Sequence, residues 1–425
     1  MTRALVVGSG GREHALAWVL HRSPSVDAVF VAPGNPGVEA VAERCDVVAT
    51  DPTAVVALAE RVDADLVVVG PEEPLVAGVA DAVTAAGRLA FGPSAVAARL
   101  EGSKAWMKEV LAGAGVPTAE HASFRADQEE EAQSFLGTLD GLYVVKTDGL
   151  AAGKGVFVTE SEVEARDAVR RYLRGEAFGD AGRTVVIEEG LRGPELSLLV
   201  VCNGDPDQAL PLAPAQDFKR IGDGDTGPNT GGMGAYSPVP IAGPELVEQV
   251  MAVAVRPTLH ALATRGSSYR GVLYAGLMLT ADGPKVIEYN VRFGDPECQV
   301  VVPRLTSDLG ELCVAAARGA ALPAVAFGDD ACVTVVLASG GYPAAPTTGE
   351  RIEGLDALAG QSDVVVFHAG TARAADGSLV TSGGRVLDVT AWGPTVAEAR
   401  RRAYDAAGAI SWPGVQYRHD IAAAA

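Results

Sequence analysis

Apolar residues in the first hundred positions come in short blocks, each followed by a turn rich in Gly or Pro and then by a stretch with helical spacing. Residues 3–8 (RALVVG) read as a buried strand. The segment GSGGREHALAWVL that follows reads as a glycine turn entering an apolar helix. A strand, a glycine turn and a helix N-terminus together expose backbone N–H groups to an anion. The spacing Gly8-x-Gly10-Gly11 departs from GxGxxG, so a dinucleotide is not indicated. Further strands are expected at 28–32, 46–49, 66–69 and 89–91, alternating with helices such as 52–61. Such a βαβ series predicts a parallel sheet with ligands at the strand ends. Those ends carry Asn35 in GNPG and Glu72 in GPEE. Turn chemistry explains the Gly and Pro there, and explains Asn35 and Glu72 less well.

Beyond residue 103 the pattern changes. A helix over 103–111 puts Lys104 and Lys108 one turn apart on one face. Residues 144–158 (VVKTDGLAAGKGVFV) read as strand, glycine loop with two lysines, strand. They lack the Walker spacing and a following helix. Residues 185–197 form a strand ending at Glu188-Glu189, a turn at Gly190, and a second strand after Pro194. A hinge of this type leaves backbone groups to read an adenine edge. The polar, glycine-rich loop 216–238 carries Asp217, Lys219 and Arg220 between strand-like flanks, which favours an ordered binding loop over a disordered one. Strand 271–280 should pair with 285–290 across the turn Ala281-Asp282-Gly283-Pro284. From about residue 322 there are β-runs and glycine turns, and a helix over 395–410 that an N-capping Thr395 should start. No chemistry is evident in that last region.

At 425 residues the chain exceeds one core, and two to four domains are expected. Hydrophobic residues make up 48% and aromatics 5%, so the cores are Ala, Val and Leu. A formal charge of −20 argues against a nucleic-acid surface or an anionic membrane. The five cysteines form no CxxC pair, which points to a reducing cytoplasm. The N-terminus turns polar at Gly8, too early for a signal peptide, and no apolar run reaches ~18 residues. Of 34 basic residues only six are lysine, all between 104 and 285. An ammonium is a compact charge suited to a phosphate oxygen, so this region is expected to handle a polyphosphate.

Residues 286–297 (VIEYNVRFGDPE) bring these signals together. Alternation puts Glu288 and Asn290 on one face and Ile287 and Tyr289 on the other. A carboxylate and a carboxamide at that spacing suit a small cation that keeps waters and shares phosphate oxygens, such as Mg²⁺. The plain alternative is a half-buried strand running into a polar turn.

The segments GSGGREHA, GNPG, GPEEPL, KTDGLAAGKGV, EEGLRGPELS, DFKRIGDGDTGPNTGGMGAYSP and IEYNVRFGDPE occur in one order over essentially the whole chain. In this the sequence resembles the ATP-grasp ligases, and within them the phosphoribosylamine–glycine ligase family. The resemblance implies an α/β multidomain fold. Its parts are an N-terminal parallel βαβ domain (1–103), an ATP-grasp core (104–328) with a mobile lid at about 122–190, and a small β-rich C-terminal domain (329–425). It implies ATP-dependent joining of glycine to 5-phosphoribosylamine through an acyl phosphate, with Mg²⁺ or Mn²⁺. The implied enzyme is a cytoplasmic monomer that touches the supplier of phosphoribosylamine transiently.

By position, Lys108 and Lys146 would meet the nucleotide phosphates, and Gly149, Gly153, Lys154 and Gly155 would cover them. Glu188 and Leu191 would face adenine, and Glu195 the ribose. Glu288 and Asn290 would hold the metal. Arg292, Asp217 and Lys219 would line the pocket for glycine and the transferred phosphate. Gly10, Gly11, Arg12, Glu13, Asn35 and Glu72 would hold phosphoribosylamine, with Asp295 in the floor of the pocket. Two positions depart from the family pattern: Phe218 stands where a histidine is expected, and Cys298 where a threonine is expected.

Three other readings are weaker. A biotin-dependent carboxylase subunit predicts different motifs around its bicarbonate site, and no MKM biotin-carrier motif is present. A nucleotide-sensing protein would lack Glu288 and Asn290. A dehydrogenase fails on the glycine spacing.

Overall fold

The computed structural model describes residues 1–149, 155–176 and 183–425. Its first part is a parallel sheet. Strands β1 (Thr2–Gly8), β2 (Val26–Pro33), β3 (Glu43–Arg44), β4 (Leu66–Val69) and β5 (Leu89–Phe91) lie in the order β3-β2-β1-β4-β5. β1 and β4 are almost wholly apolar because both faces of the sheet are covered. Leu5, Val7, Val67 and Val69 join one apolar cluster, and Ala4, Val6, Leu66 and Val68 the other. The chain order reverses between β1 and β4, so their C-terminal ends open a crevice.

One expected strand is misplaced. The pairing beside β2 falls at Glu43–Arg44, and 46–49 is irregular. Cys45 takes the buried place next to β2, its N–H donating to the Val31 carbonyl (2.9 Å), and the chain then turns out, leaving Val48 65% exposed.

Two antiparallel four-stranded sheets follow. The first has the order His121–Arg125, Thr184–Glu189, Tyr143–Thr147, Val156–Thr159. Helices Glu129–Leu136 and Glu162–Leu173 pack on it around a separate cluster that includes Phe124, Leu136, Val145, Val169 and Ile187. The second has the order Leu210–Pro211, Glu195–Asn203, Arg270–Thr280, Gly283–Asn290. Its last pairing is the expected hairpin, but the register slips between Gly276 and Leu277, leaving Ile287 as an extra residue. That bulge breaks the simple alternation, so Ile287 and Glu288 both line the cleft.

The third antiparallel sheet joins distant parts of the chain. Its order is Gln216–Asp217, Gly234–Ser237, Ala331–Ala338, Arg385–Gly393, Val364–His368. Two of these five strands come from the 216–238 loop, which is therefore ordered and built into the C-terminal sheet. Helix Val396–Ala407 covers it, capped by Thr395, whose hydroxyl accepts the Glu398 N–H (3.2 Å). Among the described residues, no helix is long and apolar enough to cross a membrane.

Candidate active site

A cleft of about 1210 Å³ lies between the two four-stranded sheets and reaches the N- and C-terminal parts. Helix Lys104–Ala114 starts at Ser103, whose hydroxyl accepts the Trp106 N–H (3.1 Å). Asp148, just past strand Tyr143–Thr147, accepts from the Ser103 hydroxyl (3.1 Å) and the Ala105 N–H (3.2 Å). The start of the helix is thereby tied to the glycine loop. Lys104 lines the cleft, and its Nζ donates to the Gly149 carbonyl at 3.0 Å. Lys108 lies behind the cleft wall at 1% exposure. Its Nζ pairs with Glu188 (2.9 Å) and donates to Thr118 (2.7 Å). Lys146 pairs with the other Glu188 oxygen at 2.8 Å and lines the cleft. Burial opposes ionisation of Glu188, but Lys146 and Lys108 outweigh it and hold the carboxyl low. Burial pushes Lys108 down to about 8. Of the two helix lysines, the one that faces the cavity is thus Lys104. Gly155, Leu191 and Glu195 also line the cleft, while Gly153 and Lys154 lie outside the described residues.

On the opposite wall, Glu288 Oε1 lies 3.7 Å from Lys219 Nζ, and the Asn290 amide approaches it at 3.4 Å. Burial disfavours the Glu288 anion, yet Lys219, Lys146 and Lys104 overcome it and bring the carboxyl to about 2. Glu288 is therefore anionic at neutral pH, with the Lys219 ammonium standing off at 3.7 Å, and it is one-third exposed to the cleft. Among the described residues no group of three or more His, Cys, Asp or Glu is arranged for a metal. A two-side-chain oxygen set suits a cation completed by water and phosphate.

Arg292 follows on the same strand end. Its Nη2 donates to Glu101 (2.7 Å) and to the Asn290 oxygen (3.3 Å), and its Nε to Glu72 (3.1 Å). Burial and Arg292 act oppositely on each of these carboxyls. Burial wins at Glu101, which rises to about 7; Arg292 and Arg12 win at Glu72, which falls to about 2. Lys219 completes this wall, pairing with Glu195 at 3.0 Å. Burial works against its charge, but Glu195 and Asp217 raise it well above the ordinary range. Asp217 is raised by burial, against the pull of Lys219.

The N-terminal turn is filled by a carboxylate of its own helix. Glu13 is 2% exposed and folds back into the turn, accepting from the Gly10 N–H (2.6 Å) and from Arg12 Nε (2.5 Å). This is the return half of a capping box. A Cβ at Gly70 would run into the Glu13 carboxylate, and a Cβ at Gly11 into Asp388 of the C-terminal sheet. Here the chain's own carboxylates crowd the glycines. Asn35 sits outside the cleft lining: its amide donates to the carbonyls of Ser9 (2.9 Å) and His368 (2.7 Å), and its oxygen accepts the Gly37 N–H (2.9 Å). Arg12, Glu72 and Asp295 do line the cleft; Gly10, Gly11 and Glu13 do not.

Sequence reasoning missed several side chains. Lys104 was visible as a helix lysine but could not be told from Lys108. Glu101 carries no local signal. Arg385, from the C-terminal sheet, reaches Asp295 (3.1 Å) and lines the cleft, so that region does carry site residues. Behind it Gln299 Nε2 donates to both Asp295 (2.7 Å) and Asp388 (2.9 Å). Burial, then Asp295, pushes Asp388 up to about 7. The two unexpected residues are both packed. Phe218 lies against Tyr236, and Cys298 is fully buried, its thiol pushed well up by burial.

Comparison with known proteins places this geometry. The phosphoribosylglycinamide synthetase N domain matches residues 2–101, its ATP-grasp (A) domain residues 102–298, and its C domain residues 332–424. The chain is 50% identical over 421 residues to the phosphoribosylamine–glycine ligase of Brucella melitensis, covering 99% of this chain and 97% of that one. It is 52% identical over 427 residues to the phosphoribosylamine–glycine ligase of Streptomyces coelicolor, covering 100% and 99%. The crystal structure of phosphoribosylamine–glycine ligase from Thermotoga maritima aligns with a TM-score of 0.86 at 35% identity, covering 99% of this chain and all (100%) of that one. The biotin carboxylase domain of Hydrogenobacter thermophilus 2-oxoglutarate carboxylase, solved with MgADP and bicarbonate, aligns at 0.72 and 19% identity over 98% of this chain and 91% of its own, a likeness of fold alone. With three consecutive domains matched, the chain belongs to the phosphoribosylglycinamide synthetase family.

Proposed function

We propose that this chain is the ATP-dependent ligase that joins glycine to 5-phosphoribosylamine, giving glycinamide ribonucleotide, ADP and phosphate in purine biosynthesis. The observation that carries the reading is one cleft in which Lys104, Lys146 and Lys219 converge on an ionised Glu288 beside Asn290. In the first step the glycine carboxylate attacks the γ-phosphate of ATP, forming glycyl phosphate and releasing ADP. In the second, the sugar amine attacks the acyl carbon, the amide bond forms, and phosphate leaves. Neither step requires an enzyme nucleophile, and positioning with charge neutralisation dominates phosphoryl transfer.

Lys104 and Lys146 hold the phosphates, with Gly149 and Gly155 bordering them. Lys108 acts from behind by fixing Glu188, which lines the cleft and in turn holds Lys146. Leu191 faces adenine and Glu195 the ribose. Glu288 and Asn290 fit a divalent cation, Mg²⁺ or Mn²⁺, which when bound neutralises charge on the transferred phosphate. Arg292, Asp217 and Lys219 orient glycine, while Arg12, Glu72 and Asp295 line the end where phosphoribosylamine enters. The reading includes a cytoplasmic monomer with transient contact to the enzyme that supplies the amine. ADP release, measured with and without glycine and freshly made phosphoribosylamine, tests the whole. Steady-state release should require both substrates, since glycine alone supports only the first step; ADP formation indifferent to both would overturn it.

A further inference from the structure

We propose that Arg418, which borders the same cleft from the C-terminal segment, is a positioning residue that clamps the loop carrying Asp217 and Lys219. The inference rests on the reading of those two residues as glycine-orienting groups. Arg418 is 1% exposed, a rare state for a guanidinium, and its contacts lie on both sides of Lys219. Its plane sits over the Phe218 ring, 5.0 Å from the centroid, and its Nη1 donates to the Arg220 carbonyl at 3.2 Å. The same nitrogen meets Asp225 of the loop's hairpin tip at 2.6 Å. The other edge is held in a fork by Asp420, with Nε and Nη2 at 2.7 and 2.6 Å.

The clamp reaches the reactive wall through the backbone. The Phe218 N–H donates to the Gly234 carbonyl (3.0 Å), and the Lys219 carbonyl accepts the Thr230 N–H (2.8 Å), so the loop is pinned strand to strand. Arg418 grips the residues on either side, and Lys219 between them reaches into the cleft toward Glu195 and Glu288. Asp420 in turn accepts the Gly224 N–H (2.8 Å), and His419 N–H donates to Asp223 (2.7 Å), so the chain around Arg418 is stitched to the same hairpin. Phe218 thereby gains a purpose. An aromatic face accepts a guanidinium, whereas a protonated imidazole in its place would repel it.

The test is steady-state kinetics with hydrogen–deuterium exchange on the full chain. Arg418→Ala should raise KM for glycine about tenfold and leave KM for ATP within about twofold. Arg418→Lys should recover only part of this, because an ammonium cannot make the fork or stack on the ring. Asp225→Ala, at an exposed turn, should raise KM for glycine about two- to threefold. In all three, segment 216–233 should exchange faster while strand Glu195–Asn203 keeps its protection. Equal shifts in both KM values, or wild-type kinetics with unchanged exchange, would overturn the proposal. Should Arg418→Ala fail to fold, the lysine and Asp225 variants decide on the same readouts. A wild-type enzyme without glycine-dependent ADP release would instead defeat the functional reading, and exchange alone would then judge the clamp.

Discussion

The two walls of the cleft bury carboxylates with opposite results. On the lysine wall one carboxylate, Glu188, serves two ammonium groups at 2.8 and 2.9 Å, and it stays ionised despite full burial. On the arginine wall two carboxylates share one guanidinium: Glu72 and Glu101 both hold Arg292, and they split to about 2 and about 7. The pattern recurs one layer back, where Asp295 pairs with Arg385 and is held low while Asp388 rises to about 7. Burial is common to all five groups. What sets the sign is the number of cations available to each carboxylate. The lysine wall thus keeps its carboxylate ionised, whereas Glu101 and, one layer back, Asp388 are pushed toward the protonated form.

The strongest way to break this contrast is Glu188→Gln. It leaves two ammonium groups, Lys146 in the cleft wall and Lys108 behind it, without their shared carboxylate, and losing one partner of a buried pair costs about 3–5 kcal/mol. Urea denaturation should show that loss, and a midpoint within error of wild type would refute the pairing as a source of stability. Glu288→Ala sharpens it from the other direction. That carboxylate is kept ionised by lysines that do not occupy it, so its loss should lower kcat/KM about 10²–10³-fold at an unchanged melting temperature. Turnover retained at saturating Mg²⁺ would sink the metal assignment.

The smallest effect is a pH slope. Asp388 holds its proton more tightly folded than unfolded, at about 7 against 3.8, so its contribution is complete below pH about 4 and is lost as pH rises through about 7. Glu72, at about 2, behaves oppositely, its contribution fading only as pH falls below about 4.5. Calorimetry of Asp388→Asn should therefore show a flatter fall in melting temperature between pH about 5 and 8 than wild type. An unchanged slope would place the proton elsewhere.

Much of the framework was legible because its signals are local. β1, β4 and the 271–290 hairpin announce themselves as apolar runs and a glycine turn, and the ordered 216–238 loop as charges between strand-like flanks. What stayed hidden depended on distance or on helix roll. Lys104 and Lys108 are one turn apart, and only the packing of their helix against two sheets decides which ammonium meets the cavity. Cys45 ended the strand expected at 46–49 by taking the last buried place beside β2. Arg385 and Arg418 meet partners 90 to 198 residues away, and no local pattern encodes such a meeting. The Glu13 carboxylate caps its own helix at Gly10, a contact set by the local turn rather than by the glycine spacing read as an anion site.

Gly11 has a mechanical consequence. The first turn of its helix lies against Asp388 with no room for a methyl group between them, so the two outer domains are spaced by the thickness of a bare backbone. A methyl there would act as a shim. It would lift Asp388, Gln299 on which Asp388 leans would tilt, and Asp295, hung from the same amide, would shift in the floor of the cleft. Three parts of the chain are thus held in gauge by a single missing carbon.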